Sequence, residues 1–130
     1  DARRVVLQSA QFVVFHPFAS AGPYETYVLP RRQNATFGGC TDCELDDLAT
    51  VLQRVLTGLG VLLRDPAYNL MLQSAPLGDD ERPYFRWHVR IMPRLATPAG
   101  FELGTGMTVN PTSPEATASA LRAAMADNHV

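Results

Sequence analysis

Arg86, His88 and Arg90 stand two residues apart in the stretch FRWHVRIM (85–92). On a β-strand that spacing puts all three on one face, about 6.5–7 Å from one to the next. Phe85, Trp87, Val89 and Ile91 then share the other face. Three such groups can converge on one bound anion, and phosphate or pyrophosphate suits the row. Two guanidiniums beside an imidazole disfavour its protonation, which keeps it available as a nucleophile or hydrogen-bond partner. The same residues also make an ordinary solvated strand face, with Asp79, Asp80 and Glu81 close in the chain as ion-pair partners. Residue types leave both readings open.

Other residues carry weaker signals. Cys40 and Cys43 have the spacing of half a tetrahedral zinc site. A second ligand pair is missing, the remaining histidines being scattered at His16, His88 and His129, and ordinary cap and loop cysteines explain the pair as well. A redox role would need thiolates of low pKa. Gly104-Thr105-Gly106 lets backbone approach a ligand closely, or makes a bulge or tight turn. Asn34-Ala35-Thr36 is a formal glycosylation acceptor with no secretory pattern upstream to give it meaning. His16, ahead of Pro17 at the end of an apolar run, reads as structural.

The elements that must position these groups follow from pattern. Residues 5–18 read as two short strands around Ser9-Ala10-Gln11, and 24–29 as a strand closed by Pro30. Thr41 with Glu44 three residues on matches a capping box. Behind it Leu45, Leu48, Leu52, Val55, Leu56, Leu59 and Leu63 recur at three- and four-residue steps, which predicts a long helix over about 42–64, ended by Pro66. Residues 68–73 read as a strand antiparallel to FRWHVRIM, whose apolar face packs on the long helix. Residues 101–103 and 107–110 are short strand candidates, and Ser113 caps a final helix over 114–125. The sum is an α+β fold: a mostly antiparallel sheet with one long helix and a C-terminal helix.

The chain has 130 residues, 46% of them hydrophobic and 18% charged, enough for one domain over 1–130 with a core that needs no staple. A net charge of −2 gives no sign of nucleic acid, and no apolar run reaches membrane-spanning length. Two cysteines and no signal-peptide pattern make a cytoplasmic protein the expectation. Asp1 rather than Met begins the sequence, as expected of a fragment or one part of a longer protein.

Taken in order, the segments resemble the histidine-triad (HIT-like) superfamily, in which a strand carries His-φ-His-φ-His after a long helix and a preceding strand. Here RWHVR (86–90) stands at the triad and keeps only the middle histidine. Within the superfamily the chain is most similar to the second half of the galactose-1-phosphate uridylyltransferase family. GPYETYVLPRR (22–32), PAYNLMLQSAP (66–76), PRLATPAGFELGTG (93–106) and SPEATASALR (113–122) carry that resemblance, which runs over roughly 4–125.

The resemblance implies double displacement: a histidine takes the nucleotidyl group from a sugar nucleotide and passes it to a sugar 1-phosphate. The family's nucleophile lies in a His-Pro-His-Gln motif of its first half, and these residues contain none. The chain would then supply scaffold, dimer surface and contacts to a nucleotide sugar or sugar phosphate. The implied contacts are Gln73, Arg86, Arg90, Phe101, Glu102, Gly104, Thr105 and Gly106. The family's zinc or iron site falls on Gln73, His88 and Arg90, a set that implies no metal is held. The implied partner is a second copy or an N-terminal HIT-like domain. Two alternatives stand beside this. One is a stand-alone nucleotide-binding module without catalysis; the other is a nucleotidyl hydrolase using His88 as nucleophile.

Overall fold

A computed structural model describes residues 1–79 and 81–127. Asp80, one of the three acidic residues near the Arg-His-Arg row, and His129, one of the scattered ligand candidates, lie outside the described residues. Five strands form one sheet in the order β1-β2-β3-β5-β4, every neighbour antiparallel. They are β1 (Val5–Gln8), β2 (Phe12–Phe15), β3 (Thr26–Pro30), β4 (Tyr68–Gln73) and β5 (His88–Pro93). Helix α1 (Asp42–Leu63) links β3 to β4, α2 (Gly100–Thr105) follows β5, and α3 (Pro114–Asp127) closes the described chain.

Alternation decides which face is covered. Phe12, Val14, Val28, Val89 and Ile91 point to the helices and form one core with Leu48, Val51, Val55 and Leu59 of α1 and Leu121 and Met125 of α3. The opposite face carries Phe15, Tyr27, Leu29, His88 and Arg90, all half-buried. Asp47 of α1 ties the β1–β2 turn to the helix layer, accepting from Ser9 Oγ at 2.7 Å and the Gln11 N–H at 2.8 Å.

The long helix starts as expected. The Thr41 side chain accepts the Glu44 N–H while Glu44 accepts the Thr41 N–H, which completes the capping box. Its buried stripe is rotated from the expected leucine row: Val51 and Gly58 are buried and Leu45 is exposed. The cause is α3, which packs along α1 where Gly58 leaves room for it. A Cβ at Gly58 would lie 2.6 Å from Met125 Cγ and 3.1 Å from Leu121 Cδ1. Gly58→Val should therefore lose about 1–3 kcal/mol by overpacking, read as a lower urea midpoint with an unchanged slope. The helix ends at Leu63, and Arg64 and Asp65 in the left-handed region separate it from Pro66, with the Asp65 N–H on Gly60 O at 2.8 Å. The proline helps by denying Asp65 the helical region.

Two expectations fail in the sheet. Residues 101–103 form part of helix α2, and 107–110 have no regular structure. Both lack a strand to pair with, and Glu102 supplies local bonds that favour a helical turn instead. The strand expected over 85–92 begins only at His88. Trp87 gives its N–H to Asn34 O at 3.0 Å, and Phe85 O accepts from Gln33 Nε2, so 85–87 are held by the segment after β3. Trp87 still points into the core, whereas Phe85 leaves the apolar face and lies 6.1 Å from the His88 ring.

Candidate functional site

Residue His88 opens β5 on the face away from the helices. Its ring lies 5.2 Å from that of Tyr27 at an interplanar angle of 24°, in a stack that Phe15 continues on β2. Nδ1 is 3.0 Å from Arg86 O. A carbonyl only accepts, so Nδ1 carries the proton and a neutral ring keeps its lone pair on Nε2.

The two arginines turn to opposite ends of this face. Arg86 donates from Nε to Gln33 Oε1 at 2.9 Å and from Nη1 to Pro30 O at 3.3 Å. Arg90 donates from Nε to Glu25 Oε1 at 2.5 Å, with its guanidinium 5.9 Å from the Tyr27 ring centre. Asp79, read as a partner for this row, pairs instead with Arg82. Gln73 lies directly across from His88 on β4, exposed, and Met71 across from Arg90. Register thus brings Gln73, His88 and Arg90 onto one patch of the sheet, where cross-strand Cβ atoms lie about 4.5–5.5 Å apart.

That patch is where the family resemblance implies a metal, and the donor set does not fit one. His88 is a lone imidazole, Gln73 a neutral amide and Arg90 a permanent cation. A divalent ion about 6.5 Å from the guanidinium would be repelled by roughly 1–5 kcal/mol between water-like and surface dielectrics. Among the described residues, no three His, Cys, Asp or Glu side chains come together as metal ligands. Cys40 is half-buried, and burial, then Glu44, pushes its thiol up, the opposite of a reactive thiolate; Cys43 is exposed.

Residues 99–110 form a separate arm. Glu102 closes it, accepting the Ala99 N–H at 3.2 Å and the Val109 N–H at 3.0 Å. Thr105 Oγ1 donates to Phe101 O and accepts the Met107 N–H. Gly106, at φ 71°, is the left-handed stop of α2, so the Gly-Thr-Gly run ends a helix rather than making a bulge. Space around the Gly104 Cα is open. Phe101, Leu103, Met107 and Val109 are 54 to 74% exposed. Asn110 Nδ2 reaches back to Ser20 O at 3.4 Å.

Three residues escaped the reading of the sequence. Glu25 is buried and joins Arg90 to the Ala21 N–H. A lone carboxylate inside the predicted 24–29 strand was the available signal, though nothing in the sequence placed that strand beside the Arg-His-Arg row. Tyr27, on the same strand, carries the His88 ring. Arg32 grips the buried Glu44 with two bonds of 2.8 and 2.7 Å and holds that carboxyl down at about 2. His16 is structural as expected: fully buried, with Nδ1 2.8 Å from Thr117 Oγ1.

No protein-family model matches the chain. ADP-glucose phosphorylase of Arabidopsis thaliana is 35% identical over 120 residues, 91% of this chain and 34% of that protein. Rat galactose-1-phosphate uridylyltransferase is 34% identical over 76 residues, 58% of this chain and 20% of that enzyme. The Arabidopsis phosphorylase structure with bound ADP-glucose superposes with a TM-score of 0.86 at 36% identity, covering 92% of this chain and 39% of that one. A uridylyltransferase structure gives 0.89 at 30% identity, over 98% and 42%. This chain is homologous to galactose-1-phosphate uridylyltransferases and ADP-glucose phosphorylase. It spans about a third of the phosphorylase and less of the rat enzyme. The fold is HIT-like: a histidine-triad protein of Mycobacterium smegmatis matches with a TM-score of 0.70 at 17% identity, over 96% of this chain and 85% of that one. Among the described residues no helix is long and apolar enough to cross a membrane.

Proposed function

We propose that this chain is the C-terminal HIT-like half of a cytoplasmic nucleotidyltransferase of the galactose-1-phosphate uridylyltransferase type, acting on a UDP- or ADP-sugar and a hexose 1-phosphate. In this reading it contributes scaffold, dimer surface and substrate contacts, and the nucleophilic histidine lies on another HIT-like unit.

The arm carries the reading. Residues 99–110 are closed on themselves by Glu102 and Thr105, yet they turn Phe101, Leu103, Met107 and Val109 outward. An ordered arm with four exposed apolar side chains is built to lie against something else. The resemblance makes that the nucleotide-sugar site of a partner subunit, reached by Phe101, Glu102, Gly104, Thr105 and Gly106.

The sheet edges agree with a second HIT-like unit. At the β1 edge Arg122 Nη1 bonds Arg3 O and Val5 O, which blocks pairing. The β4 edge has no such cap among the described bonds, and Tyr68, Leu70 and Leu72 are exposed there on the helix side. A crevice of about 230 Å³, lined by Leu56, Leu59, Pro66 and Tyr68, adjoins them. A free strand edge with apolar neighbours is a template for another sheet.

The histidines also fit a non-nucleophilic half. The chain has three, and its one His-Pro step, His16-Pro17, is buried in the core. One observation favours the second reading, a hydrolase using His88: its Nε2 lone pair stays free while Nδ1 is bonded to Arg86 O. Intact mass after incubation with ADP-glucose, and separately with UDP-glucose, separates the two. The proposal expects binding by titration and no added nucleotidyl group. A nucleotidyl adduct that disappears in His88→Ala would assign the chemistry to this chain and overturn it.

A further inference from the structure

The Arg90–Glu25 pair sits where the fold family implies a bound metal, and it does something specific there. Arg90 is on β5; Glu25 ends the loop before β3, 65 residues away in sequence, and is buried. The other oxygen of Glu25 takes the Ala21 N–H. Around this carboxylate the loop of residues 17–25 closes on itself. Ser20 Oγ bonds Pro17 O, the Glu25 N–H bonds Gly22 O, and Tyr24 adopts a left-handed φ of 60° that a side chain rarely takes unaided. Ser20 O, on the same loop, receives Asn110 Nδ2 from the end of the arm.

We propose that Arg90 is the fixed internal cation of this site. It takes the place of a metal ion, neutralises the buried Glu25, and thereby pins the loop on which the 99–110 arm rests. A carboxylate buried this deeply needs a countercharge, and the guanidinium supplies one with a directed bond. Glu25 can then spend its second oxygen on the Ala21 N–H and hold the loop closed. Without Arg90 the carboxylate is left buried and uncompensated, and it escapes to water by opening the loop. A histidine at 90 would supply neither the permanent charge nor the reach, and the loop would depend on an added cation. The inference concerns the architecture of this face, and stands whether or not the chain takes part in nucleotidyl transfer.

The test uses the purified chain. Metal content by plasma mass spectrometry and melting with EDTA or added zinc should show no stoichiometric metal and no shift. Arg90→Met and Glu25→Gln should each lower Tm by about 10 °C. The double variant should lose clearly less than the sum of the two. Hydrogen exchange should quicken across 19–25 and 107–112 in the single variants. If Arg90→Met does not fold, Arg90→Lys decides the matter: it should melt within a few degrees of the wild type, because it keeps the charge. One equivalent of metal whose removal lowers Tm would overturn the proposal. So would single variants with unchanged melting and exchange, or an Arg90→Lys variant that also fails to fold.

Discussion

Trp87→Ala should cost about 3–5 kcal/mol, a large share of the roughly 5–15 kcal/mol that holds a domain of this size folded. Trp87 is the largest fully buried side chain and the single tryptophan of the sequence. Its ring meets Phe12 edge-on at 5.8 Å and Phe37 at 5.1 Å, which joins the sheet to the segment leading into α1. Truncation removes both contacts and leaves a void that Phe12, held at the start of β2 by its pairing with Pro30, cannot fill. Trp87→Phe keeps an aromatic ring and should lose clearly less. Urea unfolding followed by far-UV circular dichroism measures both, since neither variant retains tryptophan fluorescence. A Trp87→Ala loss below about 1 kcal/mol would mean that the ring does not anchor the core. The site has a stake in this result. Trp87 stands between Arg86 and His88, and its burial, with its N–H on Asn34 O, sets which way those two neighbours face.

Much of that arrangement is written locally. The 42–63 helix announces itself through Thr41, Glu44 and the leucine spacing, because capping and amphipathicity act over a few residues. The antiparallel pairing of 68–73 with the Arg-His-Arg strand is equally visible, although that strand runs over 88–93 and the register of Gln73 against His88 comes from the structure. What alternation cannot reveal is where a side chain finds a partner far along the chain. Arg90 has three carboxylates nearby in sequence and bonds a fourth, Glu25, because β3 runs beside β5 in the sheet. The arm was misread for the opposite reason. Apolar residues flanking a Gly-Thr-Gly run look like two strands, but the Glu102 bonds to Ala99 and Val109 make a helical turn more favourable than unpaired strands. The homologues carry the same lesson. Sequence likeness spread along most of the chain fixes the fold and its family, while the roles of Arg86 and Arg90 turn on contacts peculiar to this face.

Acid should unfold this protein in two stages, and the first belongs to His16. Burial, opposed by the accepting carbonyl of Pro114 and aided by the nearby Arg122, lowers its pKa from 6.5 to about 4. Its Nε2 has no hydrogen-bond partner, so nothing on that side welcomes a proton. In the unfolded chain the same imidazole takes up its proton as pH falls through about 6.5. Between 6.5 and 4 the unfolded state therefore binds more protons than the folded one, and stability falls as pH falls. The full loss is roughly 3 kcal/mol, complete near pH 4 and absent above about 7. Glu44 supplies the second stage. Arg32, ahead of the opposing effect of burial, holds its folded pKa at about 2 against an ordinary value of 4.5. Here too the unfolded state binds more protons, so this contribution is present above 4.5 and is lost as pH falls toward 2. Arg32 is half exposed, so solvent screening reduces the second loss to roughly 1 kcal/mol, and salt should weaken it further. Unfolding free energies measured by urea at half-unit steps of pH should show the first decline in the wild type. His16→Gln should show a lower but flat line from 6.5 to about 5, above the range where Glu44 begins to contribute, because the imidazole that titrates on unfolding is gone. A slope that survives in His16→Gln would place the acid sensitivity in other residues, and the buried imidazole at the end of β2 would then be packing alone.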